Sequence, residues 1–347
     1  MSQSEFIQIG KRKIGPNFNP LVIFELGINH NGDLKLAKKI VDEAIKCGAE
    51  VIKHQTHIAD DEMSEEAKKI IPVHTTENIY EIIKSCALNE KDEFELKNYI
   101  EKKKCIFIST PFSRFAVDRL IKFKVKAFKI GSGECNNYPL VDYIASFKKP
   151  IIISTGMNDL GSIKKSIQII KKHKTKYAIL HTTNLYPTPH KLVRLNALKQ
   201  IKKFFPKTVY GLSDHTGDNY TSFAAISLGA SIIEKHFIDK STRSGPDITA
   251  SVNSSQMKDL MKGVNLIYEA MPGNIKPVKE EKKTAEFAFA SVVSNADITM
   301  GEVLTKKNIW VRRPGNGDFS AEKYKSLIGK KAKNNIKKNT QIKKTHI

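Results

Sequence analysis

One unit recurs eight times between residues 20 and 240 of this chain: a short apolar run rich in β-forming residues, a turn, and a segment with apolar residues three and four positions apart. Alternating strands and helices of this kind predict a parallel sheet, because each helix returns the chain to the starting edge of the next strand. Eight units favour a closed (β/α)8 barrel, and a doubly wound open sheet is the alternative. The predicted strands span residues 21–25, 50–55, 105–110, 127–131, 150–155, 177–182, 209–213 and 231–236.

A change of composition follows the last predicted helix, residues 254–268. The stretch MPGNIKPVKEEKK is rich in proline, glycine and charge, and it predicts a linker at about residues 272–283. The linker would separate a barrel domain over residues 1–271 from a small, mostly β domain over residues 284–347. The strand-like runs of the small domain are residues 288–294 and 309–311. Residues 60–85 form a connection long enough to cover the barrel mouth.

Composition excludes several classes of protein. The chain is 40% hydrophobic, but its longest apolar runs are far too short to span a bilayer, and MSQSEFIQIGKRK lacks the apolar core of a signal peptide. The four cysteines form no CxxC pair, so we expect reduced thiols in a cytoplasmic protein. The net charge of +22 raises nucleic-acid binding as an alternative, but no zinc-finger spacing or RNA-recognition motif accompanies it. A basic surface also raises the encounter rate with anionic metabolites.

Every predicted strand ends in polar or ionisable residues, and the carboxyl ends of barrel strands are where active sites lie. Lysine inside an apolar strand needs a counter-charge, because an unpaired buried ammonium is costly. For Lys53 and Lys129 the partner is either a carboxylate (Glu25, Glu134 or Glu234) or an anionic ligand. The glycines and hydroxyls beside Lys129 suit a phosphate group.

Two histidines, His215 and His236, end the seventh and eighth predicted strands. Neighbouring strand ends bring two imidazoles close together, and imidazole is a common ligand of Mn, Fe, Co and Zn. Two protein nitrogens leave open positions for water and substrate. Weaker candidates, for turns, supporting hydrogen bonds or the metal, are His30, His54, His57, His74 and His181.

Several long stretches carry a specific resemblance. They are GINHNGD, IKHQTHIADDEMS, STPFSR, FKIGSGECNNYPL, STGMN, HTTNLYPTPH, GLSDHT, EKHF, RSGPD, FAFASVV and VRRPGNG. Across almost its whole length the chain resembles bacterial N-acetylneuraminate (sialic acid) synthases. The resemblance implies a TIM barrel followed by an antifreeze-like (SAF) domain, in a homodimer whose small domains are swapped between subunits. One departure is His74, where these synthases often carry asparagine.

The resemblance also implies roles for individual residues. It implies that Mn²⁺, or alternatively Mg²⁺ or Co²⁺, binds to His215 and His236. It implies contacts of phosphoenolpyruvate with Lys53, Thr110, Lys129, Ser132, Ser154, Asn184 and Ser213. It implies contacts of the sugar with Gln55, Glu134, Tyr186 and Asp247, with Arg313 reaching the N-acetyl group from the second subunit and Phe287 and Phe289 packing the lid. Glu25 would lie beside the metal, and either Glu25 or Glu134 would transfer protons.

The implied reaction condenses phosphoenolpyruvate with N-acetylmannosamine and water and releases phosphate. A related possibility keeps the chemistry and uses a 2,4-diacetamido-trideoxyhexose, which gives legionaminic acid. NNYPL and NLYPTPH favour the N-acetylneuraminate branch. A different class, a carbohydrate- or ice-binding protein that uses only the small domain, is disfavoured by the full set of polar strand ends.

Overall fold

The structure is a computed structural model that describes residues 6–72 and 76–347. The chain divides into two compact units, Met1–Pro272 and Gly273–Ile347, and each is described by itself. His74 lies outside the described residues.

Eight parallel strands of the first unit close into a barrel, which confirms the predicted fold and makes the open-sheet alternative wrong. A two-stranded antiparallel hairpin, β1 (Ile7–Ile9) and β2 (Arg12–Ile14), precedes them. The barrel strands are β3 (Leu21–Gly27), β4 (Val51–Thr56), β5 (Ile106–Pro111), β6 (Phe128–Ile130), β7 (Ile151–Ser154), β8 (Tyr177–Thr182), β9 (Val209–Asp214) and β10 (Ile232–His236). Strand β10 pairs with both β9 and β3, and this pairing closes the ring.

Helices alternate with the barrel strands, and side-chain caps define where many of them begin. Asn89 accepts a hydrogen bond from the Asp92 backbone N–H, so the helix there begins at Glu90, ahead of the apolar periodicity. The helices of this unit are α1 (Leu34–Lys46), α2 (Ala59–Glu62), α3 (Ile79–Cys86), α4 (Glu90–Lys102), α5 (Arg114–Lys122), α6 (Tyr138–Ser146), α7 (Leu160–Lys172), α8 (Asn196–Phe204), α9 (Tyr220–Ser227) and α10 (Ser254–Ala270). In the described part of the chain, no helix combines the length and the apolar character needed to cross a membrane.

The barrel interior changes from apolar to charged along its axis. Inward-facing residues at the amino-terminal ends of the strands, such as Ile23, Val51 and Ile108, are fully buried. They form one cluster with Ile9 and Ile14 of the β1–β2 hairpin. The hairpin therefore packs against the amino-terminal end of the barrel, while the ionisable residues lie toward the carboxyl ends of the strands.

The second unit has its own buried core, which includes Val292, Leu304 and Ile309. Strands β11 (Ser291–Ser294) and β12 (Ile309–Arg312) form an antiparallel pair. The predicted strand over residues 288–294 begins too early, because Ala288 ends the helix α11 (Lys282–Ala288). A 3-10 turn (Lys279–Glu281) leads into α11, so the end of the predicted linker is helical. A final short helix is α12 (Tyr324–Leu327).

Candidate active site

A cavity of about 850 Å³ lies at the carboxyl ends of the barrel strands, and every one of the eight strands contributes to its wall. The predicted site residues that line it are Glu25, Lys53, Gln55, Thr110, Lys129, Ser132, Glu134, Ser154, Asn184, Tyr186, Ser213, His215, His236 and Asp247. The other three, Phe287, Phe289 and Arg313, belong to the second unit and are exposed there. Strand alternation explains part of this grouping, because inward-facing residues of alternate strands stack in layers, and the remaining residues lie in segments that follow the strands.

Two buried lysines and two buried carboxylates form the base of the cavity. The Lys53 ammonium lies 2.8 Å from a Glu25 oxygen and 3.5 Å from a Glu234 oxygen. The Lys129 ammonium lies 3.3 Å from the same Glu234 oxygen. The counter-charges that the sequence left open are therefore Glu25 and Glu234, and Glu134 forms no ion pair with either lysine. Four charges compensate one another inside the barrel.

The two lysines respond differently to this cluster. Burial lowers the pKa of Lys53, but the charges of Glu234 and Glu25 outweigh it, and the net shift is upward. Burial dominates at Lys129, which has one carboxylate partner and faces the Lys53 charge, so its pKa is lowered. Burial opposes ionisation of Glu234 as well, yet Lys129 and Lys53 lower its pKa to about 2. Lys129 is consequently the cation of this cluster that most lacks negative charge.

Glu134 differs from the other carboxylates of the cavity. It follows β6 and has no cationic partner within ion-pair distance among the described residues, and burial raises its pKa to about 7. A Cβ atom at position 131 would lie 2.7 Å from Glu134 Oε2, so Gly131 leaves room for the Glu134 carboxyl group. A carboxyl group that titrates near neutral pH is suited to proton transfer.

Half of the buried side-chain atoms that lack a hydrogen-bond partner among the described residues belong to the cavity. Buried side-chain atoms without a hydrogen-bond partner among the described residues include one from each of six cavity residues. They are Glu25 Oε2, Glu134 Oε2, Ser154 Oγ, Asn184 Oδ1, Glu234 Oε2 and His236 Nδ1. Because buried polar atoms are rarely left without partners, this concentration indicates a site shaped for a polar ligand.

The two predicted metal-binding histidines face each other with ring centroids 5.4 Å apart. His215 Nδ1 lies 2.9 Å from the Thr183 carbonyl oxygen, so Nδ1–H donates and Nε2 keeps its lone pair. Burial, and then the neighbouring His236, lower the pKa of His215 to about 3, which keeps the ring neutral. His236 Nδ1 is buried without a hydrogen bond, 3.6 Å from Asp247 Oδ2. These unused nitrogens fit a divalent transition metal.

Few other ligands are available to such an ion. No group of three or more histidine, cysteine, aspartate or glutamate side chains in a metal-binding arrangement occurs within residues 6–72 and 76–347. Tyr186 stacks on His215, with ring centroids 4.3 Å apart. Gly27 approaches from β3 with a φ of 52°, and a side chain there would lie 2.5 Å from Asp247 Oδ2.

The weaker histidine candidates divide by position. His181 Nε2 lies 2.6 Å from the Val193 carbonyl oxygen, a contact that fixes a loop. His30 and His54 stack on each other and are buried, and neither lines the cavity. His57 does line it, and its ring contacts Gln55 and Glu62. The sequence did not single out Glu62, because a charged residue in the short helix α2 carries no strand parity to mark it.

A (β/α)8 barrel with a polar, charge-lined cavity at the carboxyl ends of its strands defines a barrel enzyme that acts on a small, polar substrate. Comparison with known proteins gives the family. A model described as the NeuB family matches residues 40–276, and a SAF domain model matches residues 289–347. This chain belongs to the NeuB family of sialic acid-type synthases, which catalyse a condensation that uses phosphoenolpyruvate.

Individual relatives span nearly the whole chain. The N,N'-diacetyllegionaminic acid synthase of Campylobacter jejuni is 38% identical over 93% of this chain and 98% of its own length. The enzyme of that name from Legionella pneumophila is 33% identical over 97% of each chain. The crystal structure of the N-acetylneuraminic acid synthetase of Leptospira borgpetersenii, in complex with citrate, has a TM-score of 0.74 at 28% identity, over 82% of this chain and 96% of that one.

Proposed function

We propose that this protein is an N-acetylneuraminate synthase. It would join C3 of phosphoenolpyruvate to the aldehyde carbon of open-chain N-acetylmannosamine, add water at C2, and release inorganic phosphate by C–O cleavage. The observation that carries the proposal is the single cavity in which the lysine–glutamate cluster, the imidazole pair and six unpaired polar atoms meet.

Phosphoenolpyruvate would bind over the base of the cavity. Lys129 lacks a second carboxylate partner, so an incoming phosphate or carboxylate would complete its pairing. Ser154 Oγ is unpaired and buried on the neighbouring strand, and Lys53 lies across the shared Glu234. The other proposed contacts are Thr110, Ser132, Asn184 and Ser213, all of which line the cavity.

The charge balance of the cavity supports a metal ion. The cavity is lined by two lysines, Lys53 and Lys129, and by the carboxylates of Glu25, Glu234 and Asp247, so its walls carry no excess positive charge for a polyanionic substrate. We propose that His215 and His236 hold a divalent ion, most simply Mn²⁺. When bound, this ion would act as a Lewis acid on the sugar carbonyl.

Proton transfer is assigned to Glu134 in preference to Glu25. Glu25 is already engaged by the Lys53 ammonium at 2.8 Å, whereas Glu134 has no cationic partner within ion-pair distance among the described residues and burial places its pKa at about 7. Glu134 can therefore give or take a proton near neutral pH at little cost. Glu25 would instead act as a fixed negative charge beside the reacting carbons.

The sugar would occupy the outer part of the cavity. Gln55, Tyr186 and Asp247 line that cavity and are the proposed contacts from the barrel. We propose that the chain forms a swapped dimer in which Arg313 of the second subunit recognises the N-acetyl group, since guanidinium offers several fixed donors to a carbonyl. Phe287 and Phe289, which are 63% and 67% exposed, would cover the site in that dimer.

A phosphate-release assay tests the proposal. Purified protein, phosphoenolpyruvate and Mn²⁺ should release phosphate only when an acceptor sugar is added, and a chelator should stop the reaction. His215→Ala and His236→Ala should each abolish turnover while the far-ultraviolet circular dichroism spectrum stays unchanged. Normal turnover in either variant would refute the metal assignment.

A second acceptor has support of its own. The two relatives at 38% and 33% identity are both named N,N'-diacetyllegionaminic acid synthases. The assay therefore includes a 2,4-diacetamido-trideoxyhexose beside N-acetylmannosamine, with product masses measured for both. Preference for the diacetamido sugar would replace the acceptor and retain the rest of the mechanism.

A further inference from the structure

A chain of four polar side chains leads from the loop over the barrel mouth to the base of the cavity. Glu62, at the end of α2, accepts from His57 Nδ1 at 3.0 Å. His57 Nε2 lies 3.0 Å from Gln55 Oε1, and Gln55 Nε2 donates to Glu25 Oε1 at 2.8 Å. His57 and its Glu62 partner are buried, with side chains 4% and 5% exposed.

Hydrogen-bond accounting constrains the protons of this chain. An amide oxygen only accepts, so the nitrogen facing Gln55 Oε1 must carry a hydrogen. The other ring nitrogen faces Glu62, whose Oε2 also accepts from the Ile58 backbone N–H at 3.3 Å. Both nitrogens of His57 therefore face acceptors, and a neutral imidazole has one N–H to offer.

Turning the Gln55 amide over does not remove this requirement. The amide oxygen would then face Glu25 Oε1, which already accepts from the Lys53 ammonium at 2.8 Å. Two acceptors would meet unless Glu25 took up a proton, and Lys53 opposes that protonation. The observed amide orientation therefore places a hydrogen on the His57 nitrogen that faces Gln55. The second nitrogen faces Glu62 at 3.0 Å, and with Glu62 as a carboxylate that nitrogen is protonated as well.

We infer that His57 is a positioning residue, held as an imidazolium by Glu62, that fixes the amide of Gln55 and keeps Glu25 ionised. The Phe112 ring supports the cation from one side, stacked with its centroid 4.1 Å from the imidazole centroid. The ionisable groups that interact with the pair from other elements are His30, after β3, and Glu134, after β6.

The consequence for recognition concerns Gln55. Its oxygen is used by His57 and one amide hydrogen by Glu25, so the second amide hydrogen is left for a ligand. The cavity therefore offers a hydrogen-bond donor at Gln55, and a ligand contacts it through an oxygen. This inference rests on the proposed function only for the identity of that ligand, a hydroxyl or acetyl oxygen of the sugar.

A spectroscopic test needs no turnover. In protein labelled with ¹⁵N-histidine at about pH 8, where an ordinary imidazole is more than nine-tenths neutral, we expect His57 to give the signal of a ring with both nitrogens protonated. Its signal should vanish in His57→Gln and change to a singly protonated ring in Glu62→Gln. The matched control is His173→Gln, which removes an exposed histidine–aspartate pair, His173–Asp142, on the barrel surface and should leave that signal intact.

A singly protonated His57 in the wild-type spectrum would overturn the inference. Neutron diffraction from deuterated wild-type crystals gives the same reading without a variant, by showing deuterium on one or both nitrogens. Kinetics supply the second readout: Glu62→Gln should raise KM for the sugar about tenfold and leave KM for phosphoenolpyruvate within about twofold, as expected for loss of one oriented contact. An equal rise of both KM values would contradict the positioning role, whereas absence of turnover in the wild-type protein would count against the proposed function alone.

Discussion

Both faces of β10 carry buried charges, but the charges on the inner face keep an unused hydrogen-bonding atom and those on the outer face do not. Glu234 points into the barrel, where it serves two lysines and keeps one oxygen unpaired. The next residue, Lys235, points outward and pairs with Asp214 at 3.1 Å. Lys235 also donates to both oxygens of Thr216, at 2.6 Å to the carbonyl and 3.1 Å to the hydroxyl.

The outer network is complete. Asp214 accepts from the Thr216 backbone N–H at one oxygen, and from Thr221 and Ser222 in the first turn of α9 at the other. All three Lys235 hydrogens have acceptors. A buried charge network with every atom satisfied holds a strand to a helix, whereas one with unused atoms is prepared for a ligand. Burial and charge are alike in the two networks of β10, and hydrogen-bond saturation is the property that differs between them.

The largest expected effect comes from breaking the outer network. Lys235→Met leaves the Asp214 carboxylate buried without a cation, and we expect a loss of about 3–5 kcal/mol of unfolding free energy. Urea unfolding followed by circular dichroism measures it. A loss below about 1 kcal/mol would show that saturation does not mark a structural network.

Removing a lysine from the inner network should affect activity much more than stability. In Lys129→Met, Glu234 keeps Lys53 as its partner, so we expect stability within about 1 kcal/mol of the wild type. Phosphate release should fall about a hundredfold to a thousandfold, because the anionic substrate loses a buried cation. The same urea and phosphate assays apply, and a destabilisation equal to that of Lys235→Met would erase the contrast between the faces.

A third test asks whether Arg313 of a second subunit contributes to the cavity of the barrel. Lys53→Ala and Arg313→Ala should each be inactive alone. Co-expression of the two in a swapped dimer should restore about a quarter of wild-type activity, since half of the dimers are mixed and each has one intact site. Activity no higher than the sum of the separate variants would exclude the swap.

The smallest effect is a pH dependence from Glu134. Its folded-state pKa of about 7 lies above the unfolded value, so the folded protein binds more protons between about pH 4.5 and 7. The contribution of Glu134 to stability is fully present below that window and decreases by up to about 3 kcal/mol as the pH rises through it. Glu134→Gln should remove this slope from unfolding free energies measured across the window. An unchanged slope would return the assignment of the proton-transfer group to Glu25.

The sequence predicted the barrel well because the strand–helix unit is repeated eight times and the helices show a regular apolar pattern. Strand bounds agree to within one or two residues, and strand parity correctly placed Lys53 and Lys129 inside. Parity cannot say which inward residues meet across the barrel, since this depends on strand tilt and register. Only the three-dimensional structure could therefore show that Glu234, and not Glu134, pairs with both Lys53 and Lys129.

Other features left too little pattern to read. Strands β1 and β2 have three residues each and lie outside the repeated strand–helix unit that identified the equally short β6. The Glu62–His57 contact joins a loop helix to a strand end, and its role follows from hydrogen-bond accounting in three dimensions. At residue 288, the helix-forming run before Phe289 outweighed the β-like composition around it.

Along β10, Glu234 and His236 point into the barrel and Lys235 points outward, so the role of each residue depends on its position in a two-residue repeat. Loss of a single residue upstream would move Lys235 into the cavity and turn Glu234 and His236 toward the helices. Both networks would fail together, although no chemical group had been removed. The spacing of β10 is therefore as much a part of the site as the residues themselves.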